Sequence, residues 1–346
     1  MKPISGVTHF FNPENDLALA VGPKPYTPPK AAVALREACS ELPLWWADEG
    51  DAVLVSGDEA AERAISLKQS YGLAGEIVTA VPEGSRPDPW GWSAHTRRLL
   101  AARGASTNLM PDDATLERLR QLSHRRTAVA VHRLLGTDGR LMPVEADSVA
   151  LALDTVDRFG RAVIKLPWSS SGRGILYSAS MPRAILGQQI EGMIRRQGSV
   201  TVEPMFDRIS DFAALFYIRD SRAEYRGMSA FATDGRGSYA GNIAADQQTI
   251  IRHAGFDAKC VASDLAAALD KVVSPYYTGW AGVDMLTYLT GRGTVALAPC
   301  IEVNLRRTMG VAALEISRHI DLSAGPRLLR ATMSGVELSE HSIKQM

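Results

Sequence analysis

Residues 281–306 constrain the fold more than any other stretch of the chain. Two apolar runs, 281–289 and 295–304, flank Thr290-Gly291-Arg292-Gly293-Thr294. A short glycine-bearing stretch of this kind is a hairpin turn, so the runs pair as antiparallel strands. Residues two apart in a strand share a face. Glu302, Asn304 and Arg306 therefore point one way, and Ile301, Val303 and Leu305 the other. With the turn centred near Gly293, Asp284 lies across from Glu302 on the same face. A turn centred one residue earlier needs a bulge, and Pro299 is a place for one. Two carboxylates that close repel unless a cation sits between them. A magnesium ion beside phosphate meets the demand. Asp284, Glu302 and Asn304 offer hard oxygen ligands, and Arg306 suits phosphate oxygens. Alternation by itself predicts an edge strand with a solvated polar face about as well.

A second constraint lies upstream, in Ile164-Lys165-Leu166-Pro167-Trp168-Ser169-Ser170-Ser171-Gly172-Arg173-Gly174. Lys165 sits within an apolar strand, where a charge is costly unless an anion pairs with it. The loop that follows is small and glycine-bearing, so its backbone N–H groups can approach a phosphate closely. It is neither a Walker A loop nor the Gly-x-Gly-x-x-Gly dinucleotide loop. Taken alone, it reads better as a lysine at a strand end followed by a flexible hairpin loop.

The chain has 346 residues, room for two domains of about 150 residues each. The first third alternates strand (7–11, 52–55, 76–79) with helix (from Thr27 as N-cap and Pro28 at the first position to 41, then 58–69). This order predicts a small parallel sheet with covering helices. Residues 82–92 read as a Pro/Gly connection, followed by helices at 93–103 and 113–135, the second capped by Asp112 or Asp113 and stopped by Gly136. A domain boundary falls near residue 110. The middle third reads as helix 144–159, strand 162–166, strand 175–178, helix 182–196 and strand 199–204. The last third is strand-rich (212–219, 224–232, 281–289, 295–304), with a helix at 264–271 capped by Ser263. From residue 321 onward the chain is helical at most.

Composition narrows the function. Lys plus Arg and Asp plus Glu number 38 each, for a formal net charge of zero. That argues against a protein held to nucleic acid mainly by net charge. Cys39, Cys260 and Cys300 are scattered and form no Cys-x-x-Cys pair. They exclude a disulfide scaffold and a zinc ribbon, and they suit a reducing cytoplasm. The start of the chain lacks the apolar stretch of a signal peptide, and the longest apolar run, 212–218, is far too short to span a bilayer. His124 and His132 lie eight apart, and His253 and His319 are isolated, so none has metal-ligand spacing.

The order of features is a strand lysine (Lys165), a Ser/Gly loop, a strand ending near Glu203, then Asp284 and Glu302-x-Asn304-x-Arg306 on successive strands. This order resembles the ATP-grasp superfamily over roughly residues 110–320. The first third is similar to the small α/β domain that usually precedes the grasp. The resemblance implies a mixed α/β and α+β protein: an N-terminal parallel domain (1–110), then a two-lobed ATP-grasp fold (111–346). The first lobe would run over about 111–200, the second over about 201–320, and a tail over 321–346.

It also implies the ligands. ATP would lie between the lobes, with Lys165 on its phosphates and Ser169, Ser170, Ser171, Gly172, Arg173 and Gly174 closing over them. Glu203, Met205 and Phe206 would form the hinge whose backbone reads adenine, and Asp207 or, by preference, Asp211 would take the ribose hydroxyls. Asp284, Glu302 and Asn304 would hold one or two magnesium ions, and Arg306 would steady the transferred phosphoryl group. The family often carries a second lysine at the start of the first lobe. Here the matching stretch is 122–127, so an arginine, Arg125 or Arg126, stands in its place, a planar fork instead of a point charge.

The family's common reaction joins a carboxylate to an amine through an acyl phosphate. For this chain that means a small carboxylate and an amine, of amino-acid or peptide type. Glu14 or Asp16, after the first strand, could hold a substrate amine, and Asn242 precedes a loop at 246–248 that could cover it. The tryptophans 45, 46, 90 and 92 could line a pocket, though tryptophan more often fills a core. A homodimer is in keeping with the resemblance; no nucleic acid or membrane partner is expected. The competing readings are a small-molecule kinase on the same scaffold and a nucleotide-binding regulatory module without turnover.

Overall fold

The computed structural model describes residues 6–169, 174–233 and 239–341. Its strands fall into three sheets. The first holds β1 (Val7–Phe10), β2 (Ala52–Leu54), β3 (Glu76–Val78) and β4 (Arg86–Pro89), all parallel in the order β3-β2-β1-β4. The second holds β5 (Val144–Ala146), β6 (Ala162–Lys165), β7 (Ile175–Tyr177) and β8 (Val200–Pro204), antiparallel in the order β5-β8-β6-β7. The third is a seven-stranded antiparallel sheet of β9 (Asp207–Arg219), β10 (Arg222–Thr233), β11 (Tyr239–Ala244), β12 (Gly279–Leu289), β13 (Val295–Asn304), β14 (Arg327–Thr332) and β15 (Gly335–Glu340). Its order is β13-β12-β9-β10-β11-β14-β15.

Helices cover these sheets: α1 (Asn15–Val21), α2 (Lys30–Ala38), α3 (Asp58–Tyr71), α4 (Ala94–Ala102), α5 (Asp113–Leu122), α6 (Arg126–Leu134), α7 (Val149–Phe159), α8 (Arg183–Gln197), α9 (Gln247–Ala254), α10 (Lys259–Val272) and α11 (Met309–Ile316). Their ends follow local chemistry. Ser93, Asp112, Ser148, Asp246 and Thr308 cap their helices by accepting a backbone N–H three residues on. α3 carries Asp58 and Glu59 in its first turn and stops at Gly72, whose φ of 63° is left-handed.

Several expectations are corrected. α2 starts at Lys30, not at Pro28, and α1 precedes it where no helix was expected. The connection at 82–92 contains β4, an edge strand that tolerates Pro87 and Pro89 because its outer side pairs with nothing in the sheet. The expected helix 113–135 is two helices. The His124 ring interrupts it, its Nδ1 accepting the Arg126 backbone N–H at 3.0 Å at the start of α6. Residues 144–146 form β5 and not the start of α7. Ser263 lies inside α10, and residues 247–248 open α9. The tail is not helical: β14 and β15 form a hairpin that extends the large sheet beyond β11.

α11 explains how the first sheet and the seven-stranded sheet are joined. All of its residues from Gly310 to Ile316 are buried. Such a helix has no amphipathic period to read and must be covered on every side. Ala312, Ala313 and Ile316 share one core cluster with Phe11, Leu42, Trp45 and Trp90 from the N-terminal third and with Ala244 and Leu329 from the large sheet. Trp45 and Trp90 are thus core residues. A separate cluster under the second sheet comprises Ile164, Leu186, Ile190, Val200 and Val202 among others.

Candidate functional site

β12 and β13 pair with Asp284 opposite Glu302 and Gly282 opposite Asn304. Nearer the turn, Leu286 lies opposite Ala298, so β13 holds the extra residues between Ala298 and Glu302. The bulge therefore falls at Pro299 to Ile301, as the earlier-centred turn requires. It places Asp284, Glu302 and Asn304 side by side. Asn304 Nδ2 donates to Asp284 Oδ2 at 3.0 Å, and Arg306 Nη2 donates to Asn304 Oδ1 at 3.0 Å. Burial first, then the nearby Glu302 charge, pushes the Asp284 carboxyl well above the ordinary carboxylate range, against the pull of Arg306 and Asn304.

Three cationic side chains surround this set. Arg125, at the break between α5 and α6, is buried. Its Nη1 lies 3.1 Å from Glu302 Oε2, its Nε donates to Leu166 O at 3.0 Å, and its Nη2 donates to Ser169 Oγ at 3.0 Å. Burial disfavours the Arg125 charge, but Glu302, Glu203 and Asp284 outweigh it and raise its pKa. Lys165 is 4% exposed, and the anion that permits this is Glu203, whose Oε2 accepts from Lys165 Nζ at 2.5 Å. Arg306 forms a bidentate pair with Asp16, with Nε 2.9 Å from Oδ1 and Nη2 2.7 Å from Oδ2. Arg126 points elsewhere, to Glu145 at 2.8 Å.

The segment after β6 borders this cluster. Gly174 accepts the Leu166 backbone N–H through its carbonyl at 2.9 Å. It holds φ at 69°, and a Cβ there would come within 2.5 Å of the Leu166 side chain, so only glycine fits. Ser170, Ser171, Gly172 and Arg173 lie outside the described residues. A gap of about 10 Å³ remains between Asp16, Ser169, Glu302, Asn304 and Arg306, room for about one water.

A second gap, of about 40 Å³, opens along the β8–β9 connection and is lined by Glu203, Pro204, Phe206, Tyr288, Ile301 and His132 among others. The Phe206 and Tyr288 rings pack with centroids 4.3 Å apart. Met205 sits at the connection, its N–H donating to Arg161 O at 2.9 Å. Asp207 is paired with Arg161. Asp211 lies in β9 opposite Leu286, 3.5 Å from Arg208. Burial raises its pKa, with Arg208 and then Lys165 opposing.

Glu14 and Asn242 are not brought to this cluster. Glu14 is fully buried against Arg36, and burial raises its pKa despite that charge. Asn242 is on the same face of the large sheet, but three strands separate β11 from β13, about 19 Å at about 4.8 Å per strand spacing. Its Oδ1 accepts from Tyr239. Sequence reasoning missed a neighbouring ionic chain. Arg307 pairs with Asp88 at 2.8 Å, Asp88 with His9 at 3.0 Å, and His9 with Asp51 at 3.1 Å. The adjacent arginines 306 and 307 were its only sequence trace. Among the described residues no group of three or more His, Cys, Asp or Glu side chains could hold a metal. No helix among them is long and apolar enough to cross a membrane.

Comparison with solved structures identifies the fold. The chain superposes on N5-carboxyaminoimidazole synthetase from Staphylococcus aureus in complex with ADP with a TM-score of 0.50 and 11% identity, over 96% of this chain and 80% of that one. It superposes on phosphoribosylamine–glycine ligase from Thermotoga maritima with a TM-score of 0.51 and 12% identity, over 93% and 79%. The fold is that of the ATP-grasp enzymes, a mixed α/β architecture with a small parallel sheet ahead of two antiparallel ones. By sequence, no protein family and no curated protein matches the chain.

Proposed function

We propose that this chain is an ATP- and magnesium-dependent ligase that joins a small carboxylate to an amine through an acyl phosphate. One observation carries the reading. Asp284, Glu302 and Asn304 converge with Arg306, Arg125 and Lys165 between two sheets of an ATP-grasp fold. The donor set fits magnesium, since two carboxylates and an amide carbonyl are hard oxygen ligands. When bound, the metal would supply charge neutralisation for phosphoryl transfer.

The protein's own residues do the positioning. Lys165, Arg125 and the Ser169–Gly174 loop would bind phosphates. The backbone at Glu203 to Phe206, beside the Phe206 and Tyr288 rings, would meet the base, and Asp211 the ribose. Arg306 would hold the anionic group under transfer, a task suited to a planar fork. Asp16 orients that fork from the N-terminal third, which supports a substrate-side role for residues 1–110, the unit that would end near 110. Both gaps are smaller than a nucleotide, so admission requires the side chains that line them to rearrange.

The test is thermal unfolding with a non-hydrolysable ATP analogue and magnesium, for wild type and Lys165→Ala, each against its own ligand-free state. A ligand at about 100 times its Kd stabilises the folded state by about 2.7 kcal/mol. The expected result is a shift in wild type that shrinks in the variant. No shift at saturating nucleotide would overturn the reading. Product analysis then separates ligase from kinase, because a ligase releases free phosphate only when both co-substrates are present.

A further inference from the structure

The candidate metal ligands are engaged by the protein's own groups. Arg125 lies against Glu302, the Asn304 carbonyl accepts from Arg306, and Asp284 accepts from the Asn304 amide. The Arg125 guanidinium also binds Leu166 O at the end of β6 and Ser169 Oγ at the start of the Ser/Gly loop. It therefore ties the phosphate-facing loop to a carboxylate of the metal set, which a point-charge lysine could not do with one geometry. A divalent cation arriving alone would meet this buried positive charge at 3.1 Å from the oxygen it needs.

We propose that Arg125 is a resident counter-ion that withholds Glu302 from divalent metal until nucleotide phosphates draw the guanidinium away. The proposal rests on the nucleotide reading above and adds to it an order of assembly. Phosphates offer the fork a better bidentate partner than one carboxylate oxygen. Once it turns to them, Glu302 is free and the local charge favours a cation. Ser169 and Leu166 bind the same guanidinium, so they and the Glu302 carboxylate change partners together.

The experiment is Mn2+ binding to the full chain, followed by the electron paramagnetic resonance signal of free Mn2+, with and without AMP-PNP. Wild type is compared with Arg125→Met and Arg125→Lys, and circular dichroism confirms that each variant is folded. Wild type should bind Mn2+ weakly alone and at least tenfold more tightly with AMP-PNP present. Arg125→Met should bind Mn2+ alone at least tenfold more tightly than wild type and bind AMP-PNP less well. Arg125→Lys should fall between them. Wild type that takes up AMP-PNP with metal, beside Arg125 variants with no gain in Mn2+ affinity, would overturn the counter-ion role and leave the nucleotide reading standing. A gain in Arg125→Met with no AMP-PNP binding by wild type would overturn the nucleotide reading and the release step together.

Discussion

Arg306 and Arg307 follow one another at the end of β13, and each meets an aspartate from the N-terminal third, at 2.7 Å for Asp16 and 2.8 Å for Asp88. The two pairs belong to different kinds of network. Arg307 ends a closed chain: Asp88 is shared with His9, His9 with Asp51, and the Arg307 guanidinium lies 5.2 Å from the centre of the Trp46 ring. Arg306 opens onto Asn304 and through it Asp284, beside the gap that Arg306, Asn304 and Glu302 line with Ser169. Buried ions alone therefore do not mark a site. What distinguishes the Arg306 side is a pair of carboxylates held together against their mutual repulsion, with Asp284 displaced from its ordinary titration range. On the Arg307 side the cations hold Asp88 well below that range, the response of a satisfied ion pair even though burial works the other way.

The comparison breaks most readily at Asp88. Asp88→Ala leaves His9 and Arg307 without their shared partner, and breaking one side of a buried pair costs about 3 kcal/mol. Urea unfolding should show that loss, while the folded fraction still binds AMP-PNP. A variant of unchanged stability with lost nucleotide binding would reverse the two assignments. The next largest effect belongs to the other network. Asp284→Asn keeps shape and removes one ligand charge, so the magnesium-dependent part of AMP-PNP affinity should fall by at least about 100-fold, the upper range seen even for residues behind metal ligands. Calorimetric titration with and without magnesium measures it. Retained magnesium dependence would remove Asp284 from the metal set.

The sequence carried the Arg306 side far better than the Arg307 side. Hairpin turn and alternation were enough to align Asp284 with Glu302, and even the bulge at Pro299 was readable. A lysine in an apolar strand announced that a buried anion would be found, and Glu203 is that anion. No such local signal exists for Arg306 with Asp16, 290 residues apart, or for Arg307 with Asp88, 219 apart. Those contacts are consequences of the first sheet docking on α11. α11 is buried on every side, Glu315 included, so it shows no amphipathic period. β4 was hidden by prolines that only an edge position permits. The break before Arg125 depends on the His124 side chain capping a helix, a tertiary choice that the uninterrupted helical pattern of 113–135 conceals.

His9 sharpens the contrast through pH. Burial would lower its pKa, but hydrogen bonds with Asp51 and Asp88 and the Asp88 charge outweigh burial and raise it above 6.5. A raised histidine contributes stability that is fully present below about pH 6.5 and is lost as pH rises through its folded-state pKa. Wild type should therefore lose stability relative to His9→Gln as pH increases from about 6 to 9, with a slope of at most about 1.4 kcal/mol per unit. Denaturant unfolding at a series of pH values gives the difference curve. A flat difference would mean that folding does not raise the His9 pKa.

The smallest effect is expected at Arg183 and Asp157, which meet at 2.8 Å, the separation of Arg307 and Asp88. Only the surroundings differ: Arg183 and Asp157 are 53% and 59% exposed, against 11% and 27% for Arg307 and Asp88. Water and salt screen the exposed pair, and ordering two long side chains offsets most of its attraction. Asp157→Ala should change stability by less than about 1 kcal/mol and by nothing measurable in about 1 M salt. Asp88→Ala should keep most of its cost in the same salt, because its partners are shielded from ions. If the two variants lose equal stability and respond equally to salt, then distance and not burial sets the strength of these pairs. The Arg307 chain would then be an ordinary surface contact, and docking of the first sheet would have to rest on the apolar cluster around α11 alone.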